Sequence, residues 1–536
     1  MRSTRRALAG FMLAMGLSGT ASAGTDVIPQ YTDETQSSGI DSTFRGEWEY
    51  MVGGGAAVFD CNGDGFADAL LAGGENPAAF YVNRSTRGGP LRFEMQQSGL
   101  ELASASGAYP IDIDSDGIMD VVVLRVGENR VMRGLGDCRF SPANEAWGFD
   151  GGDAWSAAFA ATWEKGSAWP SLAIGNYIDR NAEMEPWGSC TPNWLHRPKP
   201  GGGGFAPPLP LTPSYCPLSM LFTDWSNSGV ADLRLANDRE YYEGGQEQMW
   251  RMEPGKPPRL YTKAEGWRYL RIWGMGLAGY DLDGDGYQEY AITSMADNKL
   301  QTLAAPPKDG SVPKPSYKDI AWPLGVTAHR PFIGDDLRPS TAWHTEFQDV
   351  NNDGRVDLFI AKGNVAEMPD FAMKDPNNLL VQAPDGTFIE MADKAGVAST
   401  ETARGGAMAD FNLDGLIDLL VVNRNSRAEI WRNTTAGAGN WLGLGLSQPA
   451  PNVNAVGAMV EVTAGGVTMR REVTVGGGHA SGQAGWIHFG LGPAQHAEVR
   501  VRWPGEGWSA PYPLKANHFA LLEKLKATPT PWQPPR

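Results

Sequence analysis

The stretch DCNGDGFADALL at residues 60–71 decides the fold, because four close variants of it follow later in the chain. They begin at residue 112 (DIDSDGIMDVVV), 281 (DLDGDGYQEYAI), 349 (DVNNDGRVDLFI) and 410 (DFNLDGLIDLLV). Every copy has oxygen-bearing side chains at positions 1, 3, 5 and 9, a glycine at position 6 and an apolar run directly afterwards. Calcium takes roughly six to eight oxygen ligands, so each copy predicts a calcium loop whose glycine permits the sharp turn.

The predicted ligands are the side chains at positions 1, 3, 5 and 9 and the main-chain carbonyl at position 7. They are Asp60, Asn62, Asp64, Phe66 and Asp68; Asp112, Asp114, Asp116, Ile118 and Asp120; Asp281, Asp283, Asp285, Tyr287 and Glu289; Asp349, Asn351, Asp353, Arg355 and Asp357; and Asp410, Asn412, Asp414, Leu416 and Asp418. Without a cation, such carboxylates repel one another by roughly 1–4 kcal/mol per pair at about 4 Å. We therefore expect about five bound Ca²⁺ ions.

An EF-hand shares the front half of this loop, but it also needs a glutamate at position 12 and flanking helices. Position 12 is apolar in every copy: Leu71, Val123, Ile292, Ile360 and Val421. The surrounding segments are short and rich in branched residues, which favours buried strands. The motifs could instead be metal-free turns, but such turns need only one or two aspartates each. Five acidic loops that each enter a strand favour calcium sites.

The spacing of the motifs predicts the architecture. Two weaker copies fill the gap between the second and third loops: Asp224 opens one with Ser226 and Ser228 in place of carboxylates, and Trp163 opens one that keeps only the apolar run. The seven units lie about 50 to 70 residues apart, which is typical of propellers and solenoids. We predict an all-β protein, a seven-bladed β-propeller whose closed ring removes exposed sheet edges. Residues 30–50 either supply a strand that closes the ring or form a loose lead-in.

The repeats resemble FG-GAP (integrin-α-type) repeats, whose calcium loop has the form D-x-[DN]-x-DG-x-x-D. The resemblance implies that each loop joins two strands of one blade on one rim of the ring. The sequence after residue 433 has short alternating strands and no acidic loop. Its segments NAVGAMVEV, HFGLG and VRWP, with the glycines at 476–478, resemble the ASPIC/UnbV domain of the cartilage-acidic-protein-like family. The GGGY-x-SQ motif of that family reads GGGHASGQ here, with His479 in place of the aromatic residue.

The predicted boundaries follow from these patterns. They are a signal peptide at 1–23, the propeller at 24–435, a small β-sandwich-like domain at 441–525 and an exposed Pro-rich tail at 526–536. The signal peptide rests on three early arginines, an apolar run and the small residues at 21–23. We therefore expect a secreted or periplasmic protein, in a compartment where weak calcium sites stay filled.

Charge and cysteine usage agree with an exported binding protein. The formal net charge is −17, and no basic patch is present, which argues against nucleic acid as a partner. No later stretch is long and apolar enough to span a bilayer. Four cysteines fit an oxidising compartment. We expect Cys190 and Cys216 to pair across a Pro/Gly-rich loop, and a bridge between Cys61 and Cys138 remains open.

The sequence contains no G-x-S-x-G elbow, P-loop or HExxH motif, and its seven histidines are scattered. We predict no catalytic residue. The family resemblance implies adhesion or interaction with an unidentified protein or glycan. Two alternatives remain: a polysaccharide lyase or hydrolase at the centre of the ring, with the region of His329 and His344 as first suspect, and a scaffold subunit of an envelope complex. The tryptophans around the third unit form either a sugar platform or, as we favour, packing between blades.

Overall fold

A computed structural model of the chain describes residues 27–182, 189–239, 245–308 and 310–534. The predicted signal peptide at 1–23 lies outside these residues. The regular structure is almost entirely β, with α-helices only at α1 (Asn144–Trp147), α2 (Ala321–Leu324) and α3 (Ala392–Ala395) among the described residues. Single 3-10 turns lie at Trp48–Tyr50 and Lys263–Glu265.

Seven four-stranded antiparallel units follow one another along the chain. Strand β1 (Tyr31–Asp33) comes first in sequence and belongs to the last unit. The first three units comprise β2 (Ala56–Phe59), β3 (Asp68–Leu71), β4 (Ala79–Asn83) and β5 (Phe93–Met95); β6 (Ala105–Ile111), β7 (Asp120–Arg125), β8 (Arg130–Gly134) and β9 (Phe140–Pro142); and β10 (Ser156–Thr162), β11 (Ser171–Asn176), β12 (Asn193–His196) and β13 (Leu209–Leu211).

The remaining four units have the same order of strands. They comprise β14 (Pro217–Thr223), β15 (Asp232–Asn237), β16 (Gln248–Arg251) and β17 (Arg259–Leu260); β18 (Gly274–Tyr280), β19 (Glu289–Ser294), β20 (Lys299–Leu303) and β21 (Tyr317–Asp319); β22 (Ala342–Gln348), β23 (Asp357–Lys362), β24 (Asn378–Gln382) and β25 (Phe388–Glu390); and β26 (Ala403–Ala409), β27 (Asp418–Asn423) and β28 (Glu429–Asn433) with β1.

The ring is closed by the N-terminal segment, which answers the question that the sequence left open. Strand β1 pairs antiparallel with β28, with Tyr31 opposite Asn433. The first strands of successive units pack against one another, and β26 packs against β2. These inner strands are buried along their length and rich in small residues, as in SAAFAAT of β10 and ARGGAMA of β26. Small side chains let the strands approach closely at the centre of the ring.

The C-terminal part forms two further four-stranded sheets that share one apolar core. One contains β34 (Ile487–Gly492), β29 (Asn440–Ser447), β37 (His518–Glu523) and β38 (Thr530–Trp532), and the other contains β31 (Val467–Glu472), β30 (Met459–Ala464), β35 (His496–Arg502) and β36 (Tyr512–Lys515). The prediction of an all-β propeller followed by a small β-domain is confirmed. The tail predicted to be exposed is only partly so, because β38 pairs with β37 and Trp532 packs at an angle against Trp486 and Phe519.

One segment of the C-terminal part belongs to the propeller. Strands β32 (Val475–Gly476) and β33 (Gly482–Gln483) leave the sandwich and join propeller sheets. Strand β32 lies between β10 and β14 and thereby joins the third and fourth units into one nine-stranded sheet. Strand β33 adds in parallel to β2. We call residues 475–484 the axial segment; the sequence did not predict its position.

Both cysteine pairs considered from the sequence are bonded. Cys190 bonds to Cys216, as expected. Cys61, inside the first acidic loop, bonds to Cys138 of the second unit. The first loop is therefore linked covalently to the neighbouring unit.

Candidate metal loops and axial segment

The five acidic loops share one hydrogen-bonded turn. In each, a carboxylate oxygen of the aspartate at position 1 accepts the main-chain N–H of the glycine at position 6. The N···O distances are 2.7 Å for Asp60–Gly65, 2.9 Å for Asp112–Gly117, 3.1 Å for Asp281–Gly286, 2.8 Å for Asp349–Gly354 and 2.7 Å for Asp410–Gly415. The glycine lies in the left-handed region, with φ of +84° at Gly65, so the turn that the sequence predicted does form.

The carboxylate at position 9 fixes each loop to its own blade. Asp68 accepts one main-chain N–H from Cys61 in the loop at 2.9 Å and another from Asn83 on the next strand at 2.8 Å. The N–H at position 2 reaches the position-9 carboxylate in the other loops too, at Asp120, Glu289, Asp357 and Asp418. The loops are therefore held in shape by the protein itself.

Two of the loops bring three carboxylates together closely enough to hold a metal ion. Oxygens of Asp112, Asp114 and Asp120 all lie within 4.8 Å of one another, and so do oxygens of Asp281, Asp283 and Asp285. A cluster at Asp68 with Cys61 and Cys138 is not a metal site, because the two cysteines are bonded to each other.

The electrostatics of the loops fit a hard cation. Burial raises the pKa of Asp120 to about 8, that of Asp410 to about 8 and that of Asp68 to about 7. In the third loop, Oδ1 of Asp281 and Oε1 of Glu289 are buried and have no hydrogen-bond partner in the part of the chain that the structure describes. Buried carboxylates are costly unless something neutralises them, and a divalent cation bound by oxygen ligands would do so.

The two weaker copies of the motif contain an arginine–carboxylate pair instead. Asp224 keeps the turn, accepting the N–H of Gly229 at 2.9 Å, and its Oδ2 also accepts a bond from Nη2 of Arg502 at 2.9 Å. In the third unit, Glu164 pairs with Arg197 at 2.6 Å. A guanidinium thus supplies positive charge where the acidic ligands are missing.

Arginines also pair with carboxylates in three of the complete loops, and one of these pairs, Arg355 with Asp353 at 2.5 Å, lies within its own loop. Arg133 pairs with Asp114 at 2.9 Å and with Asp116 at 3.0 Å, and Arg470 pairs with Asp281 at 2.9 Å. Arg470 belongs to the C-terminal sandwich, as does Arg502. The sandwich therefore rests on the rim of the propeller that carries the loops.

The axial segment contacts every unit of the ring. Its hydrogen-bond or strand-pairing partners are Ala56, Ala108, Ala160, Met220, Leu277, His344 and Gly406, one in each unit. The segment thus occupies the centre of the propeller. The motif GGGHASGQ was recognised from the sequence, but the only signal of its position was its run of glycines, which can mark a close approach of two backbones.

Gly478 and His479 lie in the middle of the axial segment, where it packs against the inner strands of the ring. A Cβ atom on Gly478 would lie 2.5 Å from Cε1 of His344. The ring of His479 accepts the N–H of Gly53 on Nε2 at 3.2 Å, and its Nδ1 lies 3.2 Å from the carbonyl of Leu218. Burial, with the nearby positive charge of Arg404, lowers the pKa of His479 to about 3.

The structure separates His329 from His344, the two histidines suspected of belonging to one central polar cluster. His329 is half-exposed and lies 3.6 Å from Asp297. His344 is buried at the axis, where its Nδ1 accepts the main-chain N–H of His479 at 3.1 Å. The two histidines therefore lie in different surroundings, and the axial segment fills the funnel where such an active site was considered.

Comparison with known families agrees with this architecture. The sequence matches the FG-GAP-like repeat family over residues 60–123 and 349–421, and the ASPIC and UnbV family over residues 448–529. The chain thus contains FG-GAP-like repeats at residues 60–123 and 349–421 and an ASPIC/UnbV domain at residues 448–529. A comparison with curated proteins gave no match.

Several solved structures have a similar course of the chain. BBS1N in complex with ARL6DN is 10% identical, with a TM-score of 0.41, and the match covers 77% of this chain and 97% of that one. A lectin from Agrocybe aegerita that recognises non-reducing terminal N-acetylglucosamine is 16% identical, with a TM-score of 0.34 and coverages of 70% and 87%. A hypothetical selenium-binding protein from Sulfolobus tokodaii is 9% identical, with a TM-score of 0.39 and coverages of 69% and 79%. These scores support no argument about function.

Among the described residues, no helix is long and apolar enough to cross a membrane.

Proposed function

We propose that this protein is an exported, calcium-stabilised β-propeller that acts by binding a protein or glycan rather than by chemistry. The observation that carries the proposal is the set of five preformed acidic loops with buried carboxylates, in two of which oxygens of three carboxylates lie within 4.8 Å of one another. Signal-like residues at 1–23 support export, and export supports calcium because weak sites stay filled where calcium is plentiful.

Calcium would be held by the carboxylate and amide oxygens at positions 1, 3, 5 and 9 of each loop, with the carbonyl at position 7. When bound, it would neutralise the carboxylates and tie the turn between two strands of a blade. The protein's own hydrogen bonds, such as Gly65 to Asp60, already orient these ligands. Calcium binding would therefore stabilise the native state without having to fold the loop.

The shape of the molecule favours binding over catalysis. A closed ring gives a rigid frame, and loops on a rigid frame are where recognition usually occurs. The centre of the ring, where enzymes of this shape could carry an active site, is filled by the axial segment. A polysaccharide lyase or hydrolase and an envelope scaffold stay as the alternative proposals. Adhesion as the biological outcome remains part of the proposal.

Chelation of the purified mature chain tests the calcium proposal. A ligand bound only by the native state stabilises it by roughly 2.7 kcal/mol per site at a hundredfold excess over Kd. We expect EDTA to lower the Tm by several degrees and added Ca²⁺ to restore it. Asp64→Ala, which removes a ligand from the first loop, should reproduce part of the loss, and Asp393→Ala, on an exposed helical position, should not. An unchanged Tm in EDTA would contradict calcium stabilisation.

A further inference from the structure

A cavity of about 500 Å³ lies between the propeller and the C-terminal sandwich. We call it the interdomain chamber. Glu346 and Gln348 of β22, Trp163 of the third unit, and Gln483 and Arg471 of the C-terminal part all line it. Its volume lies in the range of roughly 300–1,000 Å³ that small-molecule sites occupy. Gly485 and Asn454 at its edge are exposed, so the chamber reaches solvent.

Glu346 arranges two hydrogen-bond acceptors in the chamber. Its Oε1 accepts bonds from Nε2 of Gln348 at 2.8 Å and from Nε2 of Gln483 at 2.5 Å. Because both amide nitrogens donate to Glu346, the two amide oxygens do not bond to it and are available as acceptors. Oε1 of Gln348 and Oε1 of Gln483 are buried and have no partner among the described residues. Gln348 is only 6% exposed, so water does not reach it freely from the surface.

Three donors line the same chamber without a partner in the described parts of the chain. They are Nε1 of Trp163, Nε of Arg471 and Nε2 of His344. Nδ1 of His344 accepts the N–H of His479, so the neutral ring carries its proton on Nε2. That nitrogen lies 3.6 Å from Oε2 of Glu346, beyond hydrogen-bonding distance. His344 itself is 4% exposed.

The mixture of donors and acceptors selects the kind of ligand. An anion would be matched by donors alone and a cation by acceptors alone. A hydroxyl group both donates and accepts, so several hydroxyls can satisfy both kinds of group at once. Trp163, Trp486 and Trp532 add aromatic surface to the walls, against which the apolar face of a ring can pack.

We propose that the interdomain chamber is a composite binding site, built by both domains, for a neutral hydroxyl-rich molecule: a saccharide of one or two rings. This proposal rests on the binding function proposed above, and it adds the location of the binding site and the class of the ligand. The groups that carry it are glutamine, histidine, tryptophan and arginine side chains, and none of them is a predicted calcium ligand, although Asp60, Asp112 and Asp410 of the acidic loops also line the chamber.

Calorimetric titration of the full mature chain, kept in Ca²⁺, tests the site with galactose, mannose, maltose, cellobiose and N,N′-diacetylchitobiose as probes. We expect at least one of them to bind with one-to-one stoichiometry. Gln348→Leu and Gln483→Leu each remove one acceptor, and each should weaken that binding about tenfold. Gln97→Leu, a change of the same type at an exposed position, should leave the affinity unchanged.

Trp163→Phe provides a milder second variant, since it keeps the aromatic face and removes only the Nε1 donor. It should also weaken binding while the Tm stays near that of the unaltered chain. The proposal is overturned if none of the five saccharides binds, or if binding is equal in the glutamine variants and the Gln97 control. It is also overturned if a parallel titration shows that spermidine, a polycation, binds in the chamber and the saccharides do not. A chelation experiment that fails would leave these outcomes unaffected, so the two proposals can fail separately.

Discussion

His479 connects the two domains at the axis of the propeller through neutral hydrogen bonds. Its ring is fully buried and lies near the positive charge of Arg404, and both oppose a positive charge on it. Its pKa is about 3 in the folded protein, compared with about 6.5 in an unfolded chain. The unfolded state therefore binds more protons between these two values. The contribution of His479 to stability is present above pH of about 6.5 and is lost progressively as the pH falls below it.

We expect this loss to amount to about 1.4 kcal/mol per pH unit within that window. His479→Gln keeps a hydrogen-bonding side chain but cannot titrate. Denaturant unfolding of both proteins at pH 7 and pH 5 isolates the contribution of His479 to the pH dependence of stability, because every other titrating group is common to both proteins. The stability advantage of the unaltered chain should shrink on going to pH 5. A difference between the two proteins that does not change with pH would contradict a buried neutral His479.

Gly478 is a position where the axial segment leaves no room for a side chain. Its φ is +55°, and a Cβ atom would lie 2.5 Å from the His344 ring. Gly457 is a matched control, since its φ is +87° but a Cβ atom there would meet nothing within 4 Å. Gly478→Ala should therefore cost about 1–3 kcal/mol more than Gly457→Ala, measured by denaturant unfolding. Equal losses would show that the segment does not pack against His344.

At the scale of the element, the acidic loops were predictable and their arginine partners were not. All the groups that shape a loop, such as Asp60, Gly65 and Asp68, lie within twelve consecutive residues, so spacing alone indicates the turn. Arg470 and Arg502 reach Asp281 and Asp224 across sequence separations of 189 and 278 residues. Nothing local to the loops signals those contacts, because they arise only when the sandwich docks on the rim.

The fourth unit gives a prediction that follows from this docking. Arg502 and Asp224 form a mostly buried pair, with side chains 17% and 6% exposed. Removing one partner of such a pair leaves an uncompensated buried charge, so Arg502→Met should cost up to about 3 kcal/mol. The control is Arg84→Met, which removes an exposed ion pair with Glu94. The side chains of Arg84 and Glu94 are 51% and 66% exposed, so this change should cost less than about 1 kcal/mol.

Thermal or denaturant unfolding measures both variants. A loss in Arg502→Met no larger than that in Arg84→Met would contradict the view that this guanidinium balances the buried charge of Asp224 in the fourth unit.

At the scale of the whole molecule, the sequence predicted the ring and the sandwich but not how the two domains pack together. Repeat spacing and alternating strands are local patterns, and both parts formed as expected. The insertion of residues 475–484 depends on how glycines of one domain fit the strands of another, for example Gly476 against Ala160. The chamber beside it is likewise made by Gln348 and Gln483, which lie on different domains. Such composite features have no sequence signature of their own.

The central claim is that five acidic loops bind calcium and thereby stabilise the ring. The most direct measurement is a crystal structure of the mature chain grown in millimolar CaCl₂, with anomalous scattering data to identify the ions. The account predicts one peak in each of the loops that begin at Asp60, Asp112, Asp281, Asp349 and Asp410, and none at Asp224, whose loop has Ser226 and Ser228 in place of carboxylates. Empty acidic loops in those crystals would contradict it.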